Sequence, residues 1–121
     1  MPMSDLRFVV IEPDVFVARD LEEGLRTVCR NCRVERVPSL TEAAETAPDP
    51  LHKTVFVTAS RLQAIDESGL ARRALDQKAQ IVVRAGHDSD DAVRARGYEL
   101  LPTPFTDDLL LTVARRLQSA V

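Results

Sequence analysis

Tryptophan is absent from this 121-residue chain, and four Phe and one Tyr are its only aromatic residues. With 45% hydrophobic residues, the core must be built from Val, Leu, Ile and Ala, which at this length suits one domain, residues 1–121. Long apolar runs are missing too. Phe8–Ile11 is four residues long, against the roughly 20 that cross a bilayer, and the start has no signal-peptide core, so no membrane role is expected. Like charges form no block. The 16 basic and 19 acidic residues are interspersed, net −3, which argues against nucleic-acid binding. Cysteine is scarce, and the two residues are expected as free thiols in a reducing cytoplasm.

Three apolar runs rich in β-branched residues are present, Phe8–Ile11, Val55–Val57 and Ile81–Val83, each separated from the next by enough chain for a helix. Hydrophobicity without alternation implies strands covered on both faces, as in a parallel sheet flanked by helices. Val34–Val37 mixes charged and apolar residues and Tyr98–Leu101 is short, which suits edge strands. Val17, Leu21, Leu25 and Val28 mark one stripe of a first helix, from about Val15 to Arg30. Ser39–Glu42 has capping-box spacing for a second, through about Ala47. Ile65, Leu70, Ala74 and Leu75 predict a third between Asp66 and Lys78, with Gly69 blurring its start. Ser89 with Asp90 and Asp91 caps a fourth that ends at Gly97. Thr106-Asp-Asp opens a fifth, with Leu109, Leu110, Val113, Ala114 and Leu117 buried and Leu111 off the stripe.

The pattern predicts an α/β fold: a doubly wound five-stranded parallel sheet, order 2-1-3-4-5, flanked by five helices. Such a sheet places its ligand crevice at the carboxyl ends of strands one and three. That rule points to Glu12, Pro13 and Asp14 on one side and to Thr58, Ala59 and Ser60 on the other.

Three motifs then carry a family resemblance. They are Phe8-Val-Val-Ile-Glu-Pro-Asp14, a strand running into an acidic cluster; Ile81-Val-Val-Arg-Ala-Gly-His87, a fourth strand with its terminal triplet; and Leu101-Pro-Thr-Pro-Phe105 before an acidic helix start. In this order and spacing, from Arg7 to about Leu117, the chain resembles a two-component receiver domain of flavodoxin-like fold. The resemblance implies phosphoryl transfer from a histidine kinase to an aspartate at the end of strand three, assisted by Mg²⁺. Such chemistry needs a carboxylate nucleophile, further carboxylates around a hard cation, and a lysine on the phosphoryl oxygens.

This chain departs from that pattern at nearly every position. The acceptor falls on Thr58, and the paired acids fall on Glu12 and Pro13, with Asp14 one step beyond. The sensing hydroxyl falls on Ala85, the lysine on Thr103, and the aromatic that swings between states on Leu100. Thr103-Pro104 is expected to keep the cis peptide that receivers place there. The resemblance is thus to a degenerate receiver lacking the phospho-acceptor, with no catalytic residue, metal or cofactor. It implies a non-enzymatic domain of bacterial signal transduction that contacts a kinase, regulator or output protein. It also implies a homodimer surface on the fourth helix, fifth strand and fifth helix, with Tyr98 and Leu111 as candidate interface residues.

Two alternatives stand beside this reading. The first is an active phosphorelay receiver using a displaced carboxylate, Asp14 or Asp66. The second is a small thiol oxidoreductase using Cys29 and Cys32, whose CxxC spacing is redox-like but lies at a helix C-terminus, where the dipole does not favour a thiolate. Zinc at that pair would need two further ligands, and His52 and His87 are the only histidines.

Overall fold

The computed structural model describes residues 6–119, with side chains through 118. Eleven elements follow one another along it: β1 (Leu6–Ile11), α1 (Val15–Val28), β2 (Arg33–Val37), α2 (Leu40–Ala44), β3 (Lys53–Thr58), α3 (Leu62–Ser68), α4 (Leu70–Gln77), β4 (Gln80–Arg84), α5 (Asp90–Ala95), β5 (Glu99–Leu101) and α6 (Asp107–Ser119). The five strands form one parallel sheet in the order β2-β1-β3-β4-β5.

The apolar runs are buried on both faces, as their lack of alternation implied. Phe8, Val10, Val55, Val57 and Val82 face α1 and α6, where they meet Leu21, Leu25, Leu110 and Leu117. Val9, Ile11, Phe56, Ile81 and Val83 face the other way, onto Ile65, Leu70, Ala74 and Val93. The two edge strands are β2 and β5. Helix starts follow their caps. Ser39 Oγ accepts the Glu42 N–H at 3.2 Å, Ser89 Oγ that of Ala92 at 3.1 Å, and Thr106 Oγ1 that of Leu109 at 3.3 Å.

Four local expectations need correction. The predicted third helix is two helices, starting at Leu62 rather than Asp66, because Gly69 takes φ +84 and breaks the chain between α3 and α4. Leu75 is 75% exposed. Within α4 the buried positions are Leu70 and Ala74, spaced i, i+4, and the next residue turns away by the helical period. α2 ends at Ala44, short of Ala47. There the carbonyls released before Pro48 are taken by side chains: Arg73 and Gln77 donate to Thr46 O, and Arg7 donates to Ala47 O. Finally, Cys29 and Cys32 are joined in a disulfide rather than free, with Cα atoms 5.4 Å apart. A tight turn after the α1 C-cap is closed by the Cys32 N–H on the Cys29 carbonyl at 3.2 Å; Cys29 is buried and Cys32 packs against the core cluster under α1.

Two packing features have no periodic signature. Arg7, only 4% exposed, donates through Nε to Glu35 at 2.9 Å. Gly24 lets α1 and α6 approach so closely that a Cβ there would lie 2.5 Å from Leu110 Cδ1. No helix among the described residues is long and apolar enough to cross a membrane.

Candidate functional site

Strand register builds the site. Ile11 is paired with Thr58 and Thr58 with Val83, so β1, β3 and β4 end side by side. Glu12 leaves the end of β1, Thr58 ends β3, and Arg84 ends β4. The order β1-β3-β4 puts Thr58 between the other two.

Glu12 and Arg84 meet across the end of β3. Arg84 donates an Nη2 hydrogen to Glu12 Oε1 at 2.9 Å, and the two side chains are 16% and 13% exposed. The other carboxylate oxygen, Oε2, accepts the Asp14 N–H at 3.1 Å. Arg36, from β2, clamps the loop by donating to the carbonyls of Glu12 at 2.9 Å and Pro13 at 3.0 Å. Asp14 is turned to a different task. Its Oδ1 accepts the N–H groups of Phe16 and Val17, at 2.9 and 3.3 Å, and so caps α1.

Thr58 is 1% exposed, and its hydroxyl is engaged on both sides. It donates to Ser60 Oγ at 2.8 Å and accepts the Ser60 N–H at 3.1 Å, which ties Ser60 back to the strand end. On the far side, Ala85 donates its N–H to Leu101 O at 2.9 Å, and Thr103 Oγ1 donates to Ala85 O at 3.2 Å. Asp88 Oδ2 accepts the Leu62 N–H at 2.8 Å and ties the β4–α5 loop to the start of α3. The Thr103–Pro104 peptide is cis. An open cleft of about 830 Å³ runs from this strand-end region along α1 to Asp107, with Ala59, Arg84, Ala85 and Thr103 on its wall.

Glu12, Thr58, Ala85 and Thr103 are therefore gathered at one end of the sheet. Leu100 is buried, packed with the cluster on the opposite face from α1. Asp66 lies outside the cleft, on α3, accepting from Arg96 Nη1 at 2.7 Å, a bond that holds the Arg96 guanidinium above its ordinary pKa. Tyr98 is half-buried before β5, and Leu111 is half-buried on α6. Sequence reasoning missed Arg84, Arg36 and Asp88. Arg84 left a signal, a charged residue closing the apolar run Ile81-Val-Val; Arg36 and Asp88 left none.

Solved structures share this architecture. A response regulator receiver protein from Sinorhizobium medicae WSM419 superposes with a TM-score of 0.68 at 22% identity, covering 95% of each chain. The chain has the receiver fold. The Vibrio cholerae chemotaxis protein CheY4 matches it at a TM-score of 0.65 and 15% identity, over 93% of this chain and 98% of that one. A protein described as a transiently phosphorylated switch in bacterial signal transduction matches at 0.56 and 22%, over 95% and 94%. No family model and no curated relative matches the sequence.

The Mg²⁺ that the receiver resemblance implies does not fit these residues. A hard divalent cation takes several oxygen ligands with negative charge among them. Here Glu12 is neutralised by Arg84, Asp14 is spent on a helix cap, Pro13 carries no side-chain oxygen, and Thr58 is a buried alcohol. Among the described residues no group of three or more His, Cys, Asp or Glu converges to hold a metal ion.

Proposed function

We propose that this chain is a receiver-fold signalling domain that is not phosphorylated and acts, without catalysis of its own, by contact with a protein partner such as a kinase, regulator or output protein. The observation that carries this reading is Thr58. At the place of the acceptor carboxylate stands an alcohol, buried and hydrogen-bonded to Ser60, and an alcohol cannot form an acyl phosphate. The pocket around it is cross-tied by protein groups, which supports a domain held in one conformation, its output set by abundance or partner rather than by modification.

The displaced-carboxylate alternative is less well supported. Asp14 caps α1 and Asp66 is paired with Arg96 away from the cleft. Incubation with acetyl phosphate and Mg²⁺ followed by intact-mass measurement tests both readings: no adduct is expected, and a stoichiometric acyl phosphate, mapped to a carboxylate, would overturn the proposal.

A further inference from the structure

We propose that Arg84 is a built-in counter-cation that shuts the acidic end of the pocket to divalent metal ions, leaving Glu12 as a masked ligand. The proposal rests on the reading of the pocket as a lapsed phosphoryl site and names what replaced the ion there.

Three observations converge on it. The guanidinium reaches Glu12 from the end of β4, two strands away in the sheet, so it crosses the end of β3 where Thr58 sits. Both partners are largely withdrawn from water, at 16% and 13% exposure, so each charge depends on the other for compensation. The second oxygen of Glu12 is already occupied by the Asp14 N–H, and Asp14 cannot assist because its own carboxylate caps α1. An incoming divalent ion would have to displace the guanidinium and remain beside it, like charge against like charge in a partly desolvated site. Arg36 adds a second positive group whose donors hold the Glu12 and Pro13 carbonyls, oxygens that a hard cation would otherwise find. The pocket's charge balance is therefore covalently supplied, with no ion or phosphoryl group needed to set it.

The test compares metal binding in five proteins: the wild type, Arg84→Gln, Thr58→Asp, Thr58→Asp/Arg84→Gln and Thr58→Asp/Arg84→Lys. Gln keeps a neutral donor for Glu12, and Lys keeps the charge. Mn²⁺ is titrated while paramagnetic broadening of backbone amides is followed, with circular dichroism reporting the fold of each variant. In the acid-restored background, removal of the Arg84 charge is expected to tighten Mn²⁺ binding at least about tenfold, whereas Lys leaves it weak. Arg84→Gln alone is expected to let Mn²⁺ broaden the amides at Glu12 and Asp14 at concentrations that leave the wild type unchanged, an arm that needs no change at Thr58. Equal binding by Thr58→Asp and Thr58→Asp/Arg84→Gln, or binding by the Lys form as tight as by the Gln form, overturns the role of Arg84. Phosphorylation of the wild type by acetyl phosphate instead overturns the reading of the pocket, so the two failures are distinguishable.

Discussion

Asp14 shows how one residue can look like a metal ligand in sequence and serve as a helix cap in the fold. Its carboxylate accepts two N–H groups at the start of α1, so Asp14→Ala is expected to cost about 1 kcal/mol in urea denaturation, with Mg²⁺ leaving the difference unchanged. Asp49 is a second carboxylate with a structural task. Hydrogen bonding from the Leu51 N–H, at 2.9 Å, outweighs burial and is joined by His52 and Arg33 in holding its carboxyl below the ordinary 3.8. A depressed carboxylate contributes stability that is complete above the unfolded value and is lost as pH falls through the lower folded one. Denaturation midpoints measured below pH 3.8 are therefore expected to fall less steeply for Asp49→Asn than for the wild type.

Among the elements, α1 and α6 define the tightest joint. Gly24 in mid-helix is unfavourable by propensity, by about 1 kcal/mol relative to Ala, yet a Cβ there would meet Leu110 Cδ1 at 2.5 Å. Leu110 is 2% exposed, so its side chain must re-pack within the core to admit the methyl, and overpacking of that kind costs about 1–3 kcal/mol. The clash is expected to win: Gly24→Ala loses about 1 kcal/mol by chemical denaturation in the wild type, and the same change becomes stabilising once Leu110→Ala has opened the space. A propensity effect alone would give the same sign in both backgrounds.

Across the whole molecule, the cleft end of the sheet is satisfied internally, which directs attention to the outer faces. The resemblance puts a dimer surface on α5, β5 and α6 and makes Tyr98 and Leu111, both half-buried, its candidate contacts. Self-association through this face, which the receiver resemblance implies, would give a weight-average mass that rises with concentration in sedimentation equilibrium. If the face does self-associate, Leu111→Arg is expected to hold the protein at the monomer mass with its circular dichroism unchanged; a wild type that is monomeric at every concentration overturns the dimer that the resemblance implies.

Strand number, sheet order and the starts of most helices were legible in the sequence because their signals are local and periodic. The unbroken apolar character of Phe8–Ile11, Val55–Val57 and Ile81–Val83 requires cover on both faces, and Ser39, Ser89 and Thr106 announce the helices they cap. Types missing from strand ends were equally visible, since a threonine at position 58 needs no coordinates to be seen. Only the tertiary structure decided what those ends do. Arg84 and Glu12 are 72 residues apart, and their pairing follows from which strands end side by side. Arg7 reaching the Ala47 carbonyl and Gly24 yielding to Leu110 depend likewise on which backbones approach and at what angle. Burial pattern is written residue by residue with a period, whereas the partner of a long charged side chain is chosen by topology, and that choice put a guanidinium at the end of the sheet where the resemblance expects a metal ion.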